Sequence, residues 1–296
     1  MNIHLENVNT DSNSGPNSFG RKLIKYVQRA GHTFDSNLAA DVVLAFIESN
    51  KERHPAPLVQ RLDGIYFNTS QNYKVQNYNI RKTYEKSSGV IFQSNFNRDL
   101  IFDFFGPHDN YAIIHNGADI EEIEGVDPIQ LPDKFLEMWC CASFWRPHKR
   151  LDENIRYFLE HSPETACLVI AGIAPARVNH PRIFYIGEVS QEHLYSLYKS
   201  SKYCLHLAWL DHCPNVVVDA RACGCKIICS FAGGTKEIAG PEAVVVGEDE
   251  WDFEPVRLYE PPEMDFSRKV KNEWDIDYNM ETVAERYYQF LSTLIE

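Results

Sequence analysis

Short apolar runs of β type alternate with helix-type stretches along most of this 296-residue chain, and that alternation leaves few folds open. Strand–helix–strand units pack their apolar faces as parallel sheets covered by helices. The first series reads as strands at 3–8, 42–47, 58–61, 90–93 and 112–114, with helices at 18–30, 72–87 and 95–105. Ser18 is the expected cap of the first helix and Gly31 its stop. Residues 115–135 interrupt the pattern with the turn His115-Asn116-Gly117, then acidic residues, Gly125 and Pro128, and read as a domain linker. The series then restarts with strands at 138–142, 166–171, 183–186, 203–208 and 243–246, and helices at 151–160, 190–200 and 279–295. Residues 249–277 are acidic and carry Pro and Trp without a clear period. The expectation is an α/β chain of two halves, 1–117 and 118–278, followed by a closing helix at 279–296. Ligands of parallel sheets sit at the carboxyl ends of strands. The informative loops, 9–17, 61–70, 143–150 and 209–216, all follow strands, two in each half.

Composition narrows the partners. A net charge of −13 argues against a nucleic-acid partner, which calls for a basic face. Eight cysteines, five of them inside apolar runs, read as buried free thiols of a reducing, cytoplasmic compartment. Cys213, Cys223, Cys225 and Cys229 lack the paired spacing of a zinc site. No apolar run approaches the ~18 residues of a membrane-spanning helix. The first residues do not read as a signal peptide.

The block from Asp211 to Glu237 carries the most chemistry. It runs Asp211-His212-Cys213-Pro214-Asn215-Val216-Val217-Val218-Asp219, then Cys223-Gly224-Cys225, an apolar run at 227–229, and Gly233-Gly234. With 42 acidic residues, about six carboxylate pairs at a spacing of eight arise by chance, so the context and not the spacing carries the reading. Asp219 is expected to open a helix. A carboxylate accepts two sugar hydroxyls, and helix N-termini and glycine turns hold diphosphates through backbone N–H groups. The block has the parts to hold a nucleotide-sugar.

Three further segments follow strands. Arg146, Lys149 and Arg150 concentrate cations at the start of a helix, where the dipole disfavours them unless an anion bridges them. The segment Asn13-Ser14-Gly15-Pro16-Asn17-Ser18-Phe19-Gly20 is a βα loop whose glycine permits close backbone approach. Arg61-Leu62-Asp63-Gly64 ends a strand, where Arg61 and Asp63 either meet an acceptor hydroxyl or form an internal ion pair. His54, His108, His115, His148 and His212 lie in loops and read as surface residues, His212 least so because it adjoins Asp211. No nucleophile elbow, Walker loop, metalloprotease helix or kinase signature is present.

These residues resemble a family: the retaining glycosyltransferases of GT-B fold in family four of the sugar transferases, the group 1 glycosyl transferases. His115-Asn116-Gly117-Ala118-Asp119 is similar to the family's Asn-Gly-x-Asp segment, and Lys149 falls on its donor-diphosphate lysine. Asp211 and Asp219 fall on its paired glutamates, and Gly15 on its first-domain glycine loop. The resemblance implies two Rossmann-like domains facing across a cleft, with the first shortened and the final helix packed back onto it. The first domain would be the acceptor side and the second would bind the donor. Asp211, Lys149 and Arg146 would be catalytic. Gly15, Arg146, Lys149, Gly187, Asp211, His212, Pro214, Asn215, Val216 and Asp219 would line the donor, with Asp219 on the ribose hydroxyls. Asn17, Arg61 and Asp63 are the acceptor candidates. The substrate would be a nucleotide-diphosphate sugar and the acceptor a carbohydrate-type hydroxyl on a glycan, lipid-linked glycan or glycoprotein. No metal or cofactor is expected, and no nucleic acid; transient contact with a membrane surface stays open. The chain departs from the family in using Asp for both glutamates, in Phe144 at the family's arginine, and in lacking a counterpart of its first-domain histidine. A non-catalytic nucleotide-sugar binding module, or another GT-B enzyme such as a sugar-nucleotide epimerase, is the alternative.

Overall fold

The computed structural model describes residues 1–12, 14–34, 39–131 and 133–295, so Asn13 of the expected first loop and Glu296 of the expected closing helix lie outside the described residues. The chain divides into two compact units. The first comprises Met1–Ala118, Phe253–Val256 and Asp277–Glu296, and the second Asp119–Asp252 and Arg257–Ile276.

The first unit begins with β1 (Asn2–Glu6), α1 (Gly15–Arg29), β2 (Thr33–Phe34), β3 (Val42–Phe46) and β4 (Leu58–Leu62). It continues with α2 (Tyr73–Lys86), β5 (Gly89–Phe92), α3 (Asn95–Phe105) and β6 (Tyr111–Ile113). Its six strands run in the order β2-β1-β3-β4-β5-β6 and are parallel throughout. The Val-Val-Leu-Ala-Phe run of β3 is buried along its whole length, as a strand covered on both faces must be.

The second unit holds α4 (Ile120–Glu124), β7 (Glu137–Ala142), α5 (Leu151–His161), β8 (Ala166–Ala171), β9 (Ile183–Gly187), α6 (Gln191–Ser200) and β10 (Tyr203–His206). It goes on through α7 (Asn215–Ala222), β11 (Lys226–Ser230), α8 (Thr235–Ile238), β12 (Val244–Val246) and β13 (Lys269–Val270). The sheet order is β13-β12-β11-β10-β7-β8-β9, with the β12–β13 pair antiparallel. Read from β9 to β12, this is the Rossmann order: the chain winds outward from β7 in one direction, then returns to β10 and winds in the other. The switch point therefore lies between the carboxyl ends of β7 and β10.

The closing helix α9 (Met280–Ser292) belongs to the first unit. Its buried residues Met280, Val283, Tyr287 and Leu291 share one core with Phe19, Leu23 and Val27 of α1. Gly117 is required for that docking, because a Cβ there would lie 2.9 Å from the backbone Cα of Met280.

Several expectations are corrected. The first helix opens three residues before Ser18, at Gly15 with Ser14 as N-cap, because Pro16 fits the first turn, where its missing N–H costs nothing. Residues 15–17 are therefore helix and not loop. The expected linker holds α4, capped by the Asp119 side chain on the Glu122 N–H. Residues 115–118 belong to the first unit, where Ala118 pairs with Asn279. The helix expected to open at Asp219 opens at Asn215, leaving Asp219 inside it. The strand expected to reach 208 ends at His206. All eight cysteines are free, and all but Cys223 are buried.

Candidate functional site

The two loops that leave the switch point bring their charges together. After β7 the chain passes through a single 3-10 turn, Pro147–Lys149, before α5 begins. After β10 it runs through Leu210, a non-glycine residue at φ 57, to Asp211. Left-handed backbone in a branched residue is strained and persists where its surroundings enforce it. The Nζ of Lys149 lies 2.5 Å from Oδ2 of Asp211, and Nε2 of His206 lies 2.8 Å from the same oxygen. The second carboxylate oxygen accepts the His212 backbone N–H at 3.1 Å.

Burial by itself would raise the pKa of Asp211, but the Lys149 ammonium and the His206 hydrogen bond outweigh it and hold the carboxyl well below the usual range. Burial lowers the pKa of His206. Burial also brings His212 down to about 4. His148 falls to about 3 through burial reinforced by the charges of Lys149 and Arg146. At neutral pH the cluster thus holds one ammonium, one carboxylate and three neutral imidazoles. An ionised carboxylate only accepts, so His206 carries its proton on Nε2.

The neighbouring glycines explain the layout. A Cβ on Gly172 (φ +95), beyond β8, would collide with the Ser143 carbonyl, which keeps that glycine against the 143–150 segment. Gly172 N–H also donates to the Gly187 carbonyl at 2.7 Å. Gly187 itself sits at φ +71 with open space where a side chain would project.

The expected donor residues fall into groups. Lys149, Asp211 and His212 form one cluster. Arg146 is exposed and makes no ion pair among the described residues. Pro214 is the N-cap of α7, with Asn215 and Val216 in its first turn. Asp219 lies farther along α7, only 2% exposed, and accepts from Gln191 Nε2 at 3.3 Å. Arg150, expected with the phosphate-facing cations, turns inward instead: it is 1% exposed and pairs with Glu248 at 2.7 Å. At φ 50 it is the N-cap of α5, and its guanidinium also donates to the Leu207 and Pro262 carbonyls at 3.4 and 2.8 Å.

Gly15, Asn17, Arg61 and Asp63 belong to the first unit. Gly15 is the exposed first residue of α1. The Asn17 side chain is used locally, accepting from Asn9 N–H and donating to Ser14 Oγ. Arg61 has no exposed surface and spends its guanidinium on Tyr287 Oη at 2.9 Å, Asn116 Oδ1 at 2.8 Å and the Asp63 carboxylate. It also lies over the rings of Phe19 and Phe46. The internal ion pair forms, with Arg61 paired to Asp63. Asp63 also accepts from Gln93, while its Oδ2 is buried without a hydrogen-bond partner. Burial raises its pKa despite Arg61.

Two residues of the cluster were not expected from sequence. His206 closes an apolar strand five residues before Asp211, and that polar residue ending a buried run is the signal that marks it. His148, read as a surface residue, is half-buried and stacked on Tyr259 at 5.6 Å. Glu237, at the end of the Gly-Gly block, is buried at 2% in the short helix α8.

Residues 137–254 match the family of glycosyl transferases group 1. No curated protein sequence matches the chain. Sucrose-phosphate synthase from Thermosynechococcus elongatus shares the fold with a TM-score of 0.71 at 14% identity, over 99% of each chain. HepE of Anabaena, solved in complex with UDP-glucose, gives a TM-score of 0.70 at 14% identity, over 99% of this chain and 100% of that one. A glycosyltransferase involved in avilamycin A biosynthesis gives 0.64 at 16% identity, over 100% of this chain and 98% of that one. With both sheets and the switch-point cluster in place, residues 137–254 are similar to the group 1 glycosyl transferases, and the fold of the chain is that of the GT-B enzymes.

Proposed function

We propose that the protein transfers a sugar from a nucleotide-diphosphate sugar to an acceptor hydroxyl with retention of anomeric configuration, the donor lying at the carboxyl ends of β7 and β10. The observation that carries this reading is the Lys149–Asp211–His206 cluster at the topological switch point of the second sheet. An ammonium has three N–H donors, and the Asp211 contact uses one. The remaining two, with the exposed Arg146, face the charge that grows on a departing diphosphate. Backbone N–H groups of Asn215 and Val216, in the first turn of α7, add to that field, and Gly187 leaves room for close approach.

In the reaction the bond from the anomeric carbon to the diphosphate oxygen breaks and one to the acceptor oxygen forms on the same face. The acceptor's proton passes to the departing diphosphate. Asp211, fixed by Lys149 and His206, accepts donor-sugar hydroxyls and offsets the positive charge of the oxocarbenium-like transition state. His212 and Pro214 wall this position. Asp219 holds the ribose hydroxyls from α7. No metal or cofactor takes part in this scheme.

HepE was solved with UDP-glucose, so a uridine diphosphate hexose is the first donor to try. The test is a thermal-shift panel of UDP-, GDP-, ADP- and TDP-sugars. A ligand at 100 times its Kd adds about 2.7 kcal/mol to stability. Stabilisation by one base class, followed by acceptor-dependent release of the nucleotide diphosphate, is the expected result. A flat response to the whole panel sinks the reading. Tight binding without transfer or hydrolysis makes the protein a binding module, and donor conversion without acceptor makes it an epimerase.

A further inference from the structure

Asp219, which the donor scheme sets against the ribose, is only 2% exposed. A carboxylate so covered offers a ligand almost no surface of its own. It is also one methylene shorter than the glutamate usual at this place in the family it resembles.

The cover comes from α6, which packs against α7. Gln191, the first residue of α6, donates from Nε2 to Asp219 Oδ2 at 3.3 Å. Tyr195 follows one turn later and is 1% exposed, and burial together with the Asp219 charge raises its pKa. Two successive turns of α6 thus face the carboxylate. Of these two side chains only Gln191, half-buried, also reaches the surface. It stands shortly after Gly187, the last residue of β9, on the edge of the sheet where ligands of parallel strands sit.

The pairing fixes which way the amide points. An ionised carboxylate only accepts, so Gln191 turns its NH₂ toward Asp219 and its carbonyl oxygen Oε1 away from it. A carbonyl oxygen has two lone pairs and can accept from both hydroxyls of a vicinal diol. The charge behind the amide polarises it and strengthens Oε1 as an acceptor. Gln191 backed by Asp219 therefore offers the acceptor that a longer carboxylate would supply directly.

We propose that Gln191 is the side chain that meets the ribose, accepting from its 2′- and 3′-hydroxyls, and that Asp219 holds the ribose through it as a positioning residue. The proposal rests on the nucleotide-sugar reading of this site and narrows it. The donor is a ribonucleotide, and 2′-deoxy nucleotides, TDP-sugars among them, bind less tightly.

The experiment is a calorimetric titration of the whole protein with UDP, GDP and ADP, and with the 2′-deoxy counterpart of each. For the base that binds, the ribose form is expected to bind about tenfold tighter than the deoxy form, as the loss of one hydrogen bond implies. In Gln191→Leu and Gln191→Ala that preference should fall to about one. Both variants change a half-buried position, and an unchanged melting temperature verifies the fold. A purely structural role for Gln191 would weaken both forms alike and leave their ratio as in the parent. The proposal is overturned if the parent does not distinguish the two forms, or if the variants keep the parent's ratio; either result leaves the nucleotide-sugar reading standing. If none of the six nucleotides binds, that reading falls and the proposal falls with it.

Discussion

Gly233 lies backbone to backbone against Asp211: a Cβ on Gly233 would fall 2.6 Å from the Asp211 carbonyl oxygen and 2.9 Å from its nitrogen. The next residue, Gly234, donates its N–H to that carbonyl at 2.7 Å. The Gly-Gly turn thus fixes the backbone that carries the carboxylate. Gly233 also sits at φ +102, where only glycine is comfortable. Gly233→Ala is expected to cost about 1–3 kcal/mol of stability and to shift Asp211 away from Lys149. The variant should show a lower melting temperature and a smaller stabilisation by nucleotide sugar; unchanged values for both would mean that the turn does not set the carboxylate.

Lys149 is the cation nearest Asp211, at 2.5 Å. If it faces the departing diphosphate, Lys149→Ala should lower sugar transfer about 10²–10³-fold, the scale of losing one preorganised donor. Circular dichroism should show the fold intact. Turnover equal to that of the parent protein would remove Lys149 from the chemistry.

Asp219 is buried inside α7 with Gln191 against it. Asp219→Asn keeps the shape and removes the charge. Loss of a hydrogen bond to a charged group is worth roughly 1.5–3 kcal/mol, so donor Kd should rise by about tenfold or more. The check is calorimetry with the best nucleotide sugar, and an unaltered Kd would place the ribose elsewhere.

Arg61 serves the fold of the first unit. Removing one partner of a buried ion pair costs about 3–5 kcal/mol, because the other charge is left uncompensated. Arg61→Met should lower the urea midpoint accordingly, and Arg61→Met/Asp63→Asn together should recover part of the loss. A single variant as stable as the parent would contradict the hydrogen bonds to Tyr287, Asn116 and Asp63.

The imidazoles beside Asp211 make stability depend on pH. His148 titrates at about 3 and His212 at about 4 in the folded chain, against 6.5 in the unfolded one. Between those values the unfolded chain binds more protons, so stability falls as pH drops below about 6.5 and keeps falling toward about 3. Asp211, whose folded pKa is depressed, adds stability above its unfolded value of 3.8, and that contribution is lost only as pH falls further. Melting temperature should therefore decline from pH 7 to pH 5, and His148→Asn should flatten the decline. A pH-independent melting curve over that window would mean the imidazoles are not held neutral by burial.

The sequence by itself determined the alternation of strands and helices, the break near 115–118, and the segments that bear the chemistry. Uninterrupted apolar runs such as Val42–Phe46 and Ala166–Ala171 suit only strands covered on both faces, and proline and glycine mark where they stop. The tertiary structure decided which charged side chains stay available. Arg146, Lys149 and Arg150 are consecutive cations in the sequence, yet one is exposed, one is paired with Asp211 and one is buried on Glu248. Arg61 is held inside by Asn116 and Tyr287, which lie 55 and 226 residues from it in the chain. His206 joins Lys149 only because β10 returns to pair with β7. Periodicity and turn chemistry act over a few neighbouring residues and can be read along the chain. The partner and the burial of a charge depend on residues brought together by folding, and those set whether it binds a ligand or holds the protein together.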